Sequence, residues 1–241
     1  MKLSKNPAEE KSADILVISP HPDDAEFGTS GTVAKMAQQG KKVVYIVCSS
    51  GDKGTDDTNI RPEELASIRE KEQLDAAEVL GVKEVIFLRH PDQGLEDSAE
   101  FRKEIVRYIR IYRPDLVITS DPYRRYVWHR DHRIVGRVVL DAVFPNARDH
   151  WAYPDLIEEG IKPHNVKEIW LWAPEERDIN HRSDITETFE LKLRALHCHK
   201  SQIREPFASE MEKWLCKRAK DMAEGEDFKL AEGFHRVEIW W

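Results

Sequence analysis

Residues 14–28 read Asp14-Ile15-Leu16-Val17-Ile18-Ser19-Pro20-His21-Pro22-Asp23-Asp24-Ala25-Glu26-Phe27-Gly28, an apolar, β-branched run that passes directly into a histidine and three acids. A run over 14–19 without polar alternation suits a strand covered on both faces, as in parallel sheets. Four further runs have the same character: KVVYIVC at 42–48, EVIFL at 84–88, DLVIT at 115–119 and EIWLWA at 168–173. Between them the period changes to that of helices. A helix is predicted over 29–39, ending at Gly40, and another over 62–80, opened by Pro62 and closed by Gly81, with Leu65, Ile68, Ala76 and Leu80 on one side. Phe101, Ile105, Tyr108 and Tyr112 mark a third over 99–113, and Ile134, Val135, Val138, Val139 and Ala142 a fourth that stops by Pro145. This β-α-β-α-β-α-β-α-β order implies right-handed crossovers and an α/β fold: a three-layer α/β/α, Rossmann-like arrangement on a mostly parallel open sheet. Ligands in such sheets gather beyond the carboxyl ends of the strands, which is where His21, Asp23, Asp24 and Glu26 fall.

The 241 residues suffice for one domain with a large core. A formal charge of −8, with Lys and Arg scattered along the chain, disfavours nucleic acid or an anionic membrane as the main partner and leaves small molecules or proteins. No apolar run nears the about 20 residues of a membrane span, and MKLSKNPAEEKSAD lacks the apolar middle of a secretory signal, so a cytoplasmic protein is expected, with 1–13 as a flexible extension. Cys48, Cys198 and Cys216 fit reduced thiols better than a disulfide framework. The segment 146–166 reads as a long polar and aromatic excursion. The tail from 187 reads as one or two helices followed by a final strand, FHRVEIWW.

The crowding of like charges at 21–26 admits two readings. In the first, Asp23 or Asp24 caps the following helix and profits from its dipole, which explains one acid and leaves His21 and the other acid without a reason. In the second, a divalent metal offsets the repulsion, since imidazole and carboxylate are ordinary zinc ligands. Asp23 and Asp24, as neighbours, point apart, so one can bind the ion while the other faces its water. A further ligand must come from elsewhere, and SDPYRRYVWHRDHRIVG after strand 115–119 offers His129, Asp131 and His132, the two histidines being three apart at a helix start. Three ligands with an open water position is the pattern of a catalytic zinc site. An adjacent carboxylate as base and a second histidine as acid complete the inventory for amide hydrolysis.

These segments resemble the LmbE-like, or PIG-L, family of zinc-dependent N-acetylglucosaminyl deacetylases. Its His-Pro-Asp-Asp and His-Pro-Asp-His signatures stand here as His21-Pro22-Asp23-Asp24 and His129-Arg130-Asp131-His132, and its R..E...AA..LG as Arg69, Glu72, Ala76, Ala77, Leu80 and Gly81. PDQGL at 91–95, ALHCHKSQ at 195–202 and AEGF at 231–234 are similar to later motifs of the family. The resemblance implies Zn2+ (or another divalent transition metal) on His21, Asp24 and His132. It implies Asp23 as general base and His129 as acid or oxyanion stabiliser, oriented by Asp131. Arg69, Asp92, Trp128 and His199 are expected at the substrate, an amino sugar bearing an N-acetyl group. Arg130 in place of proline and the longer PDQG turn depart from the family pattern. The resemblance also implies a homo-oligomer, perhaps a hexamer, for which DHWAYPDL and EIWLWA offer contact surface. A related amidase acting on a thiol conjugate, and a non-catalytic Rossmann-like binding module, are the alternatives. Against the latter, SPHPDDAEFG lacks the GxGxxG that pyrophosphate binding requires.

Overall fold

The five predicted apolar runs are parallel strands of one seven-stranded sheet in the computed structural model, which describes residues 11–240. They are β1 (Ile15–Ser19), β2 (Val43–Ser49), β3 (Glu84–His90), β4 (Leu116–Ser120) and β5 (Glu168–Trp172). The helices α1 (Asp24–Gln38), α2 (Pro62–Leu80), α3 (Ala99–Tyr112) and α4 (Arg130–Asp141) alternate with them. After β5 the chain adds β6 (His181–Asp184), α6 (Phe189–Leu196), α7 (Phe207–Met222) and β7 (Ala231–Glu238), while α5 (Pro154–Glu158) precedes β5. The strand order is β3-β2-β1-β4-β5-β7-β6, with β7 antiparallel to both β5 and β6.

β1 pairs with β2 on one side and β4 on the other, Ile15 standing opposite both Val43 and Leu116. The order runs outward in opposite directions from the β1–β4 pair, so the crevice above these two strands is the topological switch point, where open α/β sheets bind ligands. Both predicted clusters follow these strands directly. β1 alternates between two cores: Leu16 and Ile18 pack with Ile105, Ile109, Val135 and Val139, whereas Ile15 and Val17 pack with Val33, Ala34, Ala76 and Leu80. Three layers result.

Several expectations need correction. Helix α1 begins at Asp24, five residues before the predicted start, because acids in its first turn suit the positive end of the helix dipole. Strand β6, HRSD, carries no apolar pattern that would predict it; among the described residues it is an edge strand paired with β7 alone. The final strand begins at Ala231, not Phe234. The EIWLWA segment is no contact surface: Trp170 and Trp172 are 8% and 2% exposed in the core. The excursion 146–166 contains α5 and is pinned from within by Arg110, whose buried guanidinium donates to the carbonyls of Asn146, Ala147, Asp149 and Ala152 at 2.8–3.1 Å. Of the predicted flexible extension, 1–10 lie outside the described residues, whereas Lys11 is tied to Glu84 and Tyr112 at 2.8 and 3.0 Å and Ala13 is buried.

Candidate active site

The helix-capping reading of 23–26 does not hold. Asp23 is the N-cap of α1, but its carboxylate accepts no bond from the first-turn amides, and its backbone is left-handed at φ 94°. Such a conformation in a non-glycine residue stores strain that the surroundings must hold in place. They do so from α2: the Asp23 N–H donates to Gln73 Oε1 at 3.1 Å, and Gln73 Nε2 donates to buried Glu26 Oε1 at 3.0 Å. Arg69, one turn earlier, donates to Asp23 Oδ2 at 3.2 Å, to Gly51 O at 2.9 Å and to Pro22 O. Gly51 is required there, for its φ is +60° and a Cβ would stand 2.3 Å from Arg69 Nη1.

Asp24 lies between two imidazoles. Its Oδ2 is 2.9 Å from His21 Nδ1 and its Oδ1 is 3.1 Å from His132 Nε2. Two atoms held tetrahedrally by one zinc ion at about 2.0–2.1 Å are about 3.3 Å apart, and each of these contacts, made through a different oxygen of Asp24, is near that length. The charge balance suits a cation as well. Beyond Asp24, His21 Nε2 also meets Asp92 Oδ1 at 3.1 Å and Asp131 Oδ2 at 3.4 Å, so three carboxylates surround one imidazole. Donor atoms of His21, His129 and His132, and separately of His21, Asp92 and Asp131, lie within 4.8 Å of one another. Burial opposes charge on His21, yet hydrogen bonds to Asp131, Asp24 and Asp92 carry it well above the ordinary imidazole range. Burial likewise opposes charge on Asp24, but His132 and His21 hold it well below the usual carboxylate range. The neighbouring acid behaves differently: desolvation, against the pull of Arg69, pushes Asp23 up to about 6.

His129 is the N-cap of α4 and its Nδ1 accepts the Asp131 N–H at 3.2 Å. Burial and the charges of His21 and His132 lower its pKa, which favours the neutral ring, and with Nδ1 accepting, the ring proton falls to Nε2. Asp131 was expected to orient His129 through its carboxylate. That carboxylate instead accepts Gln93 N–H at 2.7 Å and faces His21, and only the Asp131 backbone meets His129.

The expected substrate residues are placed as follows. Arg69 is 4% exposed and bound to Asp23; Asp92 is 5% exposed and bound to His21. Trp128 stands edge-on to His132, with centroids 4.5 Å apart, and donates to Asp121 O, while Arg124 covers its ring. His199 is fully buried and lies 3.3 Å from Glu26. The two departures from the family pattern interlock: Arg130 donates to Leu95 O and to Glu96 Oε1, binding α4 to the longer PDQG turn. Sequence reading missed Gln73 and the reason for Glu72, which accepts from Ser201 N–H and Oγ at 2.7 and 2.6 Å. A signal existed: Arg69, Glu72, Gln73 and Ala76 share one face of α2, so its buried stripe has polar members.

Comparison with known proteins agrees with this geometry. Residues 16–143 match the family described as PIG-L, GlcNAc-PI de-N-acetylase. The chain is 35% identical over 223 residues to the diacetylchitobiose deacetylase of Thermococcus kodakarensis, covering 92% of this chain and 82% of that one. It is 29% identical over 199 residues to a probable N-acetyl-alpha-D-glucosaminyl L-malate deacetylase of Bacillus anthracis, covering 78% and 80%. Its structure superposes on the inhibitor complex of N,N'-diacetylchitobiose deacetylase from Pyrococcus horikoshii with a TM-score of 0.89, at 33% identity over 97% of this chain and 86% of that one. With the His-Pro-Asp-Asp turn after β1 and the His-Arg-Asp-His turn after β4 brought together at the switch point, the chain belongs to the PIG-L family.

Proposed function

We propose that this chain is a zinc-dependent hydrolase that removes the N-acetyl group from an N-acetylglucosamine-type amino sugar. The observation that carries the reading is Asp24 spanning His21 and His132 while its neighbour Asp23 is held separately by Arg69. His21, Asp24 and His132 would hold the cation, which when bound acidifies water and polarises a carbonyl. Asp23 takes the proton of the attacking water. Arg69 and the Gln73 amide keep its carboxylate and backbone fixed for that task. His129, with its proton on Nε2, stabilises the developing oxyanion, and Asp23 returns the proton it took from water to the departing amine. Asp92 and Asp131 steady His21 from its far nitrogen, as carboxylates beyond a ligating histidine do.

Three free cysteines favour a reducing, cytoplasmic setting. A homo-oligomer is part of the same reading, with exposed Trp151 available as contact surface. The test is acetate release from N-acetylglucosamine, its oligomers and its glycosyl conjugates, before and after chelation and after zinc is restored. Chelation is expected to abolish release and zinc to recover it. Release that survives complete metal removal would overturn the reading.

A further inference from the structure

Next to the reactive cluster lies a half-enclosed cavity of about 280 Å³ that reaches Asp24 and His132. Its wall includes Phe27 of α1, Trp172 of β5, and Leu215, Ala219 and Met222 of α7. Gly28 lets Trp172 lie against α1, since a Cβ there would stand 2.6 Å from the indole. Of the charged side chains in the wall, Lys192 and Glu232 face each other at 2.7 Å and give their other bonds to the backbone of α1, which leaves neither charge open to the cavity. At the rim the guanidinium groups of Arg124 and Arg218 lie over Trp128 and Trp214, 4.6 and 5.3 Å from the ring centroids. Asp23, Arg69, Asp92 and His129 are not part of the lining.

This position separates the two arms of an amide. Were a carbonyl held by a cation on Asp24 and His132, its nitrogen arm would lie toward Asp23, which returns the proton to the amine, and its oxygen toward His129. The acyl arm is left with the side that Asp23 and His129 do not occupy, where the cavity opens. An acetyl methyl group, about the size of one water at roughly 30 Å³, would fill little of it. The whole volume approaches the lower end of small-molecule sites, about 300 Å³. Resting on the hydrolase reading above, we propose that the cavity receives the acyl half of the amide, so that amino sugars carrying a medium-length apolar N-acyl chain are substrates beside the N-acetyl sugar.

The test is kcat/KM of the zinc-loaded protein on glucosamine carrying N-acetyl, N-butanoyl, N-hexanoyl or N-octanoyl groups, with the benzyl glycoside of N-acetylglucosamine as a counter-probe. Each methylene that enters the cavity should raise kcat/KM by up to about fourfold. Ala219→Leu, which fills the cavity from α7, should cut the hexanoyl substrate at least tenfold and leave the acetyl substrate within about twofold. Hexanoate should also inhibit more tightly than acetate. Efficient acetate release with no gain on longer chains overturns the acyl cavity and leaves the hydrolase reading standing. A gain confined to the benzyl glycoside, lost in Ala219→Leu, assigns the cavity to the aglycone and overturns the proposal equally. Release of no acid from any substrate overturns the hydrolase reading and the cavity with it. If Ala219→Leu does not fold, the wild-type series decides alone.

Discussion

Asp23→Asn is expected to lower kcat by about 10²–10⁴ while the protein keeps its fold and its cation. The amide has nearly the shape of the carboxylate and retains the backbone N–H that Gln73 holds, so the left-handed turn before α1 has no reason to relax. Arg69 loses a charged partner but keeps the carbonyls of Gly51 and Pro22. What disappears is a group able to accept a proton. Asp24→Asn is the contrasting variant: it replaces the carboxylate that spans His21 and His132 and should lose the cation first. Metal content by elemental analysis, measured beside turnover, separates the two. An Asp23→Asn protein with full metal and activity within about tenfold of wild type would remove Asp23 from the base's role.

The contrast between Asp23 and Asp24 was legible in the sequence because adjacent side chains on a turn must diverge. Likewise the convergence of 21–26 with 129–132 followed from two apolar runs, 14–19 and 115–119, each delivering its polar cluster at the same sheet edge. What the sequence did not disclose lies in partners far apart along the chain. Glu72 and Ser201 meet across 129 residues, and nothing in KSQ says that its serine receives a carboxylate of α2. The placing of His199 at the substrate rests on the likeness of ALHCHKSQ to a family motif, and nothing in the sequence pairs the histidine with Glu26, which is itself buried against it. β6 escaped for another reason. Four polar residues form a strand there only because β7 supplies the pairing, and tertiary hydrogen bonding outweighs local preference. Arg130 looked like a lone departure beside the site, yet it is the mate of the longer 91–95 turn. Two departures that bond to each other amount to a single change.

Breaking the ion pair set into α1 should have the largest effect on stability. Lys192 Nζ donates to Glu26 O and Phe27 O at 3.0 and 2.8 Å, and Glu232 accepts the N–H groups of Gly31 and Thr32 at 3.0 and 2.8 Å. In a regular helix Gly31 would donate to Phe27 O; here each of these two groups has one of the paired charges as a partner. The side chains are 4% and 6% exposed, so neither ion can turn to water if the other is removed. Glu232→Ala therefore leaves a buried ammonium without its counter-charge and takes the carboxylate acceptor from the Gly31 and Thr32 N–H groups, and about 3–5 kcal/mol of stability should be lost. Against a total of about 5–15 kcal/mol this is a large share. With a urea slope of about 1–3 kcal/mol per molar, the unfolding midpoint should fall by at least about 1 M. Lys192→Met should behave similarly. The double variant should be less destabilised than the two losses added, because removing both ions also removes the cost of desolvating either. Strict additivity, or a single variant within about 1 kcal/mol of wild type, would show that the pair does not act as a unit in α1. The consequence for function runs through the same helix. Its first turn carries Asp24, and a pair anchored at Glu26, Phe27, Gly31 and Thr32 holds that turn where β1 delivers it to the cation.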